Sequence, residues 1–208
     1  MTATMTGAVS PDLRATLRAL RLGQMLDTLP GRLVLARQQH MAHADFLQLV
    51  LADEVTRRDA KSASLRSRAA GLDPGMRPDT RDESAAIRYD RQLRNELVSL
   101  RFLDAQHGTL ILGPVGAGKT HLACALGHIA IRRRRSVLMA PAARLFRKLR
   151  AARLDNPLDA EMRRLTGIEL LILDDLALQP LDATETADFY QICVERHRKA
   201  ATIVTSNR

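Results

Sequence analysis

The chain contains no tryptophan, two tyrosines and four phenylalanines in 208 residues, an aromatic content of 3%. That scarcity argues against gripping single-stranded nucleic acid through rows of stacked rings. Its two cysteines, Cys124 and Cys193, lie far apart and form no CxxC pair, so neither a disulfide framework nor a thiolate zinc site is supported. Both sit in apolar, periodic segments and are expected to be small core residues in a reducing cytosol. The histidines, six in all, make no HExxH and no Cys/His cluster, and no nucleophilic triad stands out. No apolar run approaches the ~20 residues that cross a bilayer. The opening MTATMTGAVSPD also lacks the basic-then-apolar pattern of a secretory leader. A cytoplasmic protein without a membrane partner is the expectation.

Positive charge is what the chain has in surplus: 32 basic against 23 acidic residues, a formal net charge of +9. Such a surplus favours a polyanionic partner, since each neutralised phosphate releases counterions. It also serves simply to solvate helices, and charge alone does not choose between the two. Hydrophobic and charged contents of 46% and 26% are those of an ordinary globular chain long enough for one substantial core and a small accessory unit.

The first third reads as helical. Ser10 can cap a helix with Pro11 in its first turn and Leu13, Leu17 and Leu20 on one face. LPGR, Leu29 to Arg32, interrupts it. A second helix follows from about Ala44, with Phe46, Val50 and Leu51 on its buried face, Arg57, Arg58, Lys61, Arg66 and Arg68 in its C-terminal half, and Gly71 as its stop. GLDPGMRPDT reads as a linker, which places a boundary near residue 75 between an N-terminal helical domain, 1–75, and a core, 76–208. Beyond it, apolar runs at Thr109 to Leu112, Ser136 to Ala140, Glu169 to Leu173 and Thr202 to Thr205 alternate with helical patterns near 119–134, 142–154 and 183–199. Continuous apolar strands alternating with helices specify an α/β fold, a parallel sheet covered on both faces.

One stretch carries chemistry. GPVGAGKT, Gly113 to Thr120, fits GxxxxGKT between a strand and a helix. Its glycines at 113, 116 and 118 let successive backbone N–H groups turn inward around an anion, and the following helix aims its positive end at the same place. Lys119 is expected to reach the β- and γ-phosphates of ATP and the Thr120 hydroxyl to ligate Mg2+. Gly113, Pro114, Val115, Gly116, Ala117, Gly118, Lys119, Thr120 and His121 form the predicted nucleotide contact. His121 is read as a packing or surface residue and not as a catalyst. Farther on, ELLILDDLALQ delivers Asp174 and Asp175 to the C-terminal end of a strand, where ligands bind in such sheets. Asp174 is placed to hold Mg2+ through water, and Asp175 to polarise an attacking water. Another strand should separate this one from the strand of the glycine loop. A fourth strand ending in Asn207 can set a side-chain amide beside the γ-phosphate. Lys119, Asp175 and Asn207 are thus the catalytic candidates. Basic side chains at Arg144, Arg147 and Lys148, opposite Leu145, Phe146 and Leu149 on one amphipathic helix, are candidates for phosphate contact or for plain solvation. The run Arg132 to Arg135 suits the C-terminus of a helix without any ligand.

Together, GPVGAGKTHLACALGHIAIRR, LLILDDLALQPLDATETADFYQICVERH and TIVTSN resemble the IstB-like ATP-binding proteins, AAA+ helpers of insertion-sequence transposases related to the DnaC helicase loader. FLQLVLADEVTRRDAKSASLRSRAAGL resembles the helical N-terminal region of that family. The resemblance implies an AAA+ P-loop NTPase core preceded by a small helical domain, ATP and Mg2+ as cofactors, and ATP-dependent self-assembly on double-stranded DNA that recruits or regulates a transposase. It also makes the helix carrying Arg144, Arg147 and Lys148 a candidate for facing DNA. Arg135 stands where relatives often have a small turn residue. The family continues past the sensor strand with a fifth strand, an arginine finger and a C-terminal helical region, so a core that is incomplete at its C-terminus is expected here. Arg208 is not the finger. ATP binding is then expected to outlast hydrolysis and ring assembly, and Thr109 to Leu112 to form an exposed apolar edge. A DnaC-like helicase loader and a non-hydrolysing DNA- or protein-binding remnant are the alternatives.

Overall fold

The computed structural model describes residues 9–78, 90–154 and 158–207; Arg208 lies outside them. The chain divides into two compact units, Met1–Ser62 and Ala63–Arg208.

In the first unit, α1 (Pro11–Ala19) starts as its sequence demands: the Ser10 side chain accepts from Leu13 N, and Pro11 occupies the first turn. A 3-10 turn (Gly23–Asp27) and α2 (Leu29–Gln38) follow. LPGR therefore opens a helix where an interruption was expected, because proline is tolerated in a first turn. The long α3 (His43–Ala69) begins in this unit. Val9, Leu17, Met25, Leu29 and Val50 make a small core, with Phe46 packed against it. Leu51, expected inside, is 41% exposed, one position off the buried stripe.

Glu54 on α3 is buried and binds Arg57 at 2.8 Å and Arg58 at 2.7 Å. Arg57's hydrogen bonds, against the opposing effect of burial and with help from Arg58, pull the Glu54 carboxyl down to about 2. A carboxylate depressed in the folded state stabilises fully above its ordinary value near 4.5 and loses that contribution as pH falls towards 2. Hydrogen exchange of α1–α3 should accelerate in that window, and Glu54→Gln should shrink the acid-dependent part. An identical acid response in the variant would contradict this account of Glu54.

The second unit is the α/β fold. Four parallel strands, β1 (Thr109–Leu112), β2 (Val137–Pro141), β3 (Leu170–Asp174) and β4 (Ala201–Ser206), stand in the order β1-β4-β3-β2. β4 thus separates the strand before the glycine loop from the strand ending in the paired aspartates, as expected. β3 is buried at every position, the signature of a strand covered on both faces. α4 (Arg91–Ser99), α5 (Arg101–Asp104) and α6 (Lys119–Arg132) accompany one apolar cluster; α7 (Ala142–Leu154), α8 (Leu158–Gly167) and α9 (Ala183–Arg196) build the other. Ala70 and Leu72 belong to the first of these, and Met139 N donates to Ala70 O at 2.7 Å. The start of the expected linker is therefore packed into the core. β1 is an edge strand among the described residues, with Leu110 62% and Leu112 56% exposed, the apolar edge the sequence suggested. Cys124 is buried, but Cys193 lies on the solvent side of α9, a correction to its expected core position.

Candidate nucleotide site

The loop between β1 and α6 takes the conformation its glycines permit. Gly116 and Gly118 adopt φ of 82° and 74°, left-handed values that a side chain would resist. Gly118 is the N-cap of α6, so the positive end of a 14-residue helix opens onto the loop. Lys119, in the first turn, is only 6% exposed, and its ammonium donates to Pro114 O at 2.7 Å across the loop. Val115, at the tip, is 83% exposed. Nε2 of His121 lies 3.1 Å from Arg77 O.

The two ends of the sheet's ligand edge meet here. Thr120 Oγ1 donates to Asp174 Oδ1 at 3.0 Å, joining the start of α6 to the end of β3. Thr205 Oγ1, from the intervening β4, donates to the same Oδ1 at 2.6 Å. Asp174 is 6% exposed. Asp175 turns sharply at φ 55°, and its N–H is received by Thr205 Oγ1 at 2.8 Å. Burial, then the neighbouring charge of Asp174, raises the Asp175 carboxyl above its ordinary range, while Lys119 opposes them. Leu112 pairs with Ser206 in the register of β1 and β4, so Asn207 follows directly at the level where the glycine loop begins. The structure thus brings Lys119, Thr120, Asp174, Asp175 and Asn207 to one end of the sheet. Thr120 and Asp174 offer hard oxygen donors of the kind that, with phosphate oxygens and waters, hold Mg2+.

Sequence reasoning missed Thr205. The available signal was a hydroxyl near the end of the strand, two residues before Asn207, in a strand that also carries Thr202 and Ser206. Of the three cations expected to be available on α7, one is held: Lys148 Nζ binds Glu161 at 2.9 Å. On the same helix Arg150 and Arg153 pair with Asp182 and Asp188. Arg144 and Arg147 stay exposed, while Leu145, Phe146 and Leu149 are buried as expected. Of the arginine run, Arg135 binds Glu169 at 2.8 Å and Asp104 at 2.5 Å. The left-handed turn residue before β2 is Arg134, with φ 61°.

A profile of IstB-like ATP binding proteins matches residues 15–208. The chain belongs to that family. Over 199 residues it is 35% identical to a Mycobacterium tuberculosis protein named as an ATP-binding protein in an insertion sequence, covering 95% of this chain and 79% of that one. An insertion sequence IS21 protein of Pseudomonas aeruginosa, also named as ATP-binding, is 29% identical over 95% of this chain and 74% of its own. Among solved structures, AMPPCP-bound DnaA from Aquifex aeolicus superposes with a TM-score of 0.57 at 22% identity, over 66% of this chain and 43% of that one. The DnaC helicase loader superposes with a TM-score of 0.51 at 22% identity, over 56% and 67%. The IstB-like core therefore has the AAA+ P-loop NTPase fold. No helix among its described residues is long and apolar enough to cross a membrane.

Proposed function

We propose that this IstB-like chain is an ATP-binding helper of DNA transposition, which binds double-stranded DNA in a nucleotide-dependent way and recruits or regulates a transposase. The observation that carries the reading is the joining of the glycine loop to the β3 acid through Thr120 and Asp174, in a chain whose curated relatives are named for insertion sequences. In this reading the loop amides from Gly113 to Thr120 and the N-terminus of α6 receive the triphosphate. Lys119 exchanges its bond to Pro114 O for phosphate oxygens, a charge-assisted contact stronger than the one it replaces. Mg2+ supplies charge neutralisation of the phosphates when bound, with Thr120 and Asp174 as its protein partners. Asp175, whose carboxyl burial raises above its ordinary range, is assigned to orient water. Asn207 stands where it would face the γ-phosphate.

For DNA, the exposed Arg144 and Arg147 on α7 are the assigned phosphate contacts, since the ammonium of Lys148 is held by Glu161. Fluorescence anisotropy on duplex DNA over a salt series tests this. Changing both arginines to alanine should lower affinity and reduce the slope of log K against log salt by about two. An unchanged slope would remove α7 from the interface. A DnaC-like loader would differ in its partner, and co-purification with a replicative helicase in place of a transposase would decide for it.

A further inference from the structure

Thr205 is fully buried near the C-terminal end of the central strand β4, between Val204 and Ser206 and paired with Ile111 of β1, and both sides of its hydroxyl are used. The hydrogen points to Asp174 Oδ1 at 2.6 Å, and the oxygen receives Asp175 N at 2.8 Å. Two further bonds repeat the attachment: Leu176 N donates to Thr205 O at 2.8 Å, and the Ser206 side-chain Oγ donates to Leu176 O at 2.8 Å. Two hydroxyls, Thr120 and Thr205, thus converge on one oxygen of Asp174. This fixes the plane of the carboxylate by its Oδ1 and leaves Oδ2 without a hydrogen bond among the described residues. A valine would fill nearly the same volume without the oxygen, so the work of the hydroxyl can be separated from that of the side chain's bulk.

We infer that Thr205 is a positioning residue for the metal: from β4 it sets the orientation of the Asp174 carboxylate and holds the left-handed turn that presents Asp175. The inference rests on the nucleotide-binding reading above and adds a residue to it. Thr205 also ties the acid pair to the strand that runs into Asn207, so one side chain aligns groups delivered by two strands.

The test titrates the whole chain with a fluorescent ATP analogue, mant-ATP, first in EDTA and then across Mg2+ concentrations, for wild type, Thr205→Val, Thr205→Ala and Thr205→Ser. Thr205→Val and Thr205→Ala should need about 10- to 100-fold more Mg2+ for half-saturation, the usual effect of losing a group that orients a metal ligand. Their metal-free affinity should match wild type, and Thr205→Ser should restore the Mg2+ response to within about threefold. Alanine serves as the second variant should valine fail to fold. Unchanged Mg2+ half-saturation in both hydroxyl-free variants, with only a lower melting temperature, would overturn the inference and leave Thr205 a structural residue. No binding of mant-ATP by folded wild type would instead bring down the nucleotide reading, and this inference with it.

Discussion

Lys119→Ala should weaken Mg·ATP binding by about a hundredfold or more, because charge-assisted bonds to phosphate are each worth about 1.5–3 kcal/mol. The lysine is buried as a residue, and its ammonium lies 2.7 Å from Pro114 O of the exposed loop. The variant should still fold, since its lost partner is a single carbonyl on an exposed loop. A thermal-shift titration reads both effects at once: ligand at a hundred times its dissociation constant stabilises by about 2.7 kcal/mol, and that protection should vanish in the variant. Lys119→Arg should not rescue it, as a forked guanidinium is wider than an ammonium and does not reproduce its point contact. Binding by Lys119→Ala within about threefold of wild type would contradict the assigned grip.

The largest expected loss of stability lies elsewhere, at Arg196. This side chain is 1% exposed and has no carboxylate partner among the described residues. It donates to Thr202 Oγ1 at 2.9 Å, to Leu165 O at 2.6 Å, to Ile168 O at 2.7 Å and to Ala201 O. One guanidinium therefore satisfies the end of α8, the turn into β3 and the first residue of β4. Burial lowers it to about 10, so it remains charged at neutral pH. Arg196→Ala would leave several buried carbonyls without donors and open a cavity, for a loss of about 3–5 kcal/mol. For a unit of this size that is a fall of roughly 6–20 °C in melting temperature, measurable by calorimetry. Arg196→Lys should recover only part, since one ammonium cannot reach the spread of acceptors. A change below about 1 kcal/mol for Arg196→Ala would show that water replaces the guanidinium without strain.

The contrast between these two residues explains what the sequence made legible. Lys119 announces itself because phosphate binding demands glycines, a lysine and a hydroxyl in fixed order, with a strand before and a helix after. The strands were readable for a related reason: a parallel sheet buried on both faces needs unbroken apolar runs, and Leu170 to Leu173 supply one. Arg196 gave no such sign. An arginine in the last turn of a helix also reads as a favourable charge at the helix end, and its carbonyl partners come from the tertiary fold. Short polar helices were equally silent. α4, RQLRNELVS, is set by an Asp90 cap whose side chain accepts from Gln92 N and Leu93 N, and α8 by packing of Met162 and Leu165. The cations of α7 could be counted in sequence, but their acids lie on α8 and α9, so only the fold shows that Arg144 and Arg147 remain outward while Lys148, Arg150 and Arg153 are paired. Thr205 was hidden for the same reason, since its two partners sit at the end of the neighbouring strand and in the turn that follows it.

Hydrogen–deuterium exchange of the folded chain, with and without Mg·ATP, probes the proposed phosphate cradle at the atoms it invokes. The amides from Gly113 to Thr120 should slow strongly on adding nucleotide, with a smaller effect at Asp174 and Asp175, and Lys119→Ala should abolish both. Exchange in that loop that is indifferent to saturating Mg·ATP would contradict the assignment of this site.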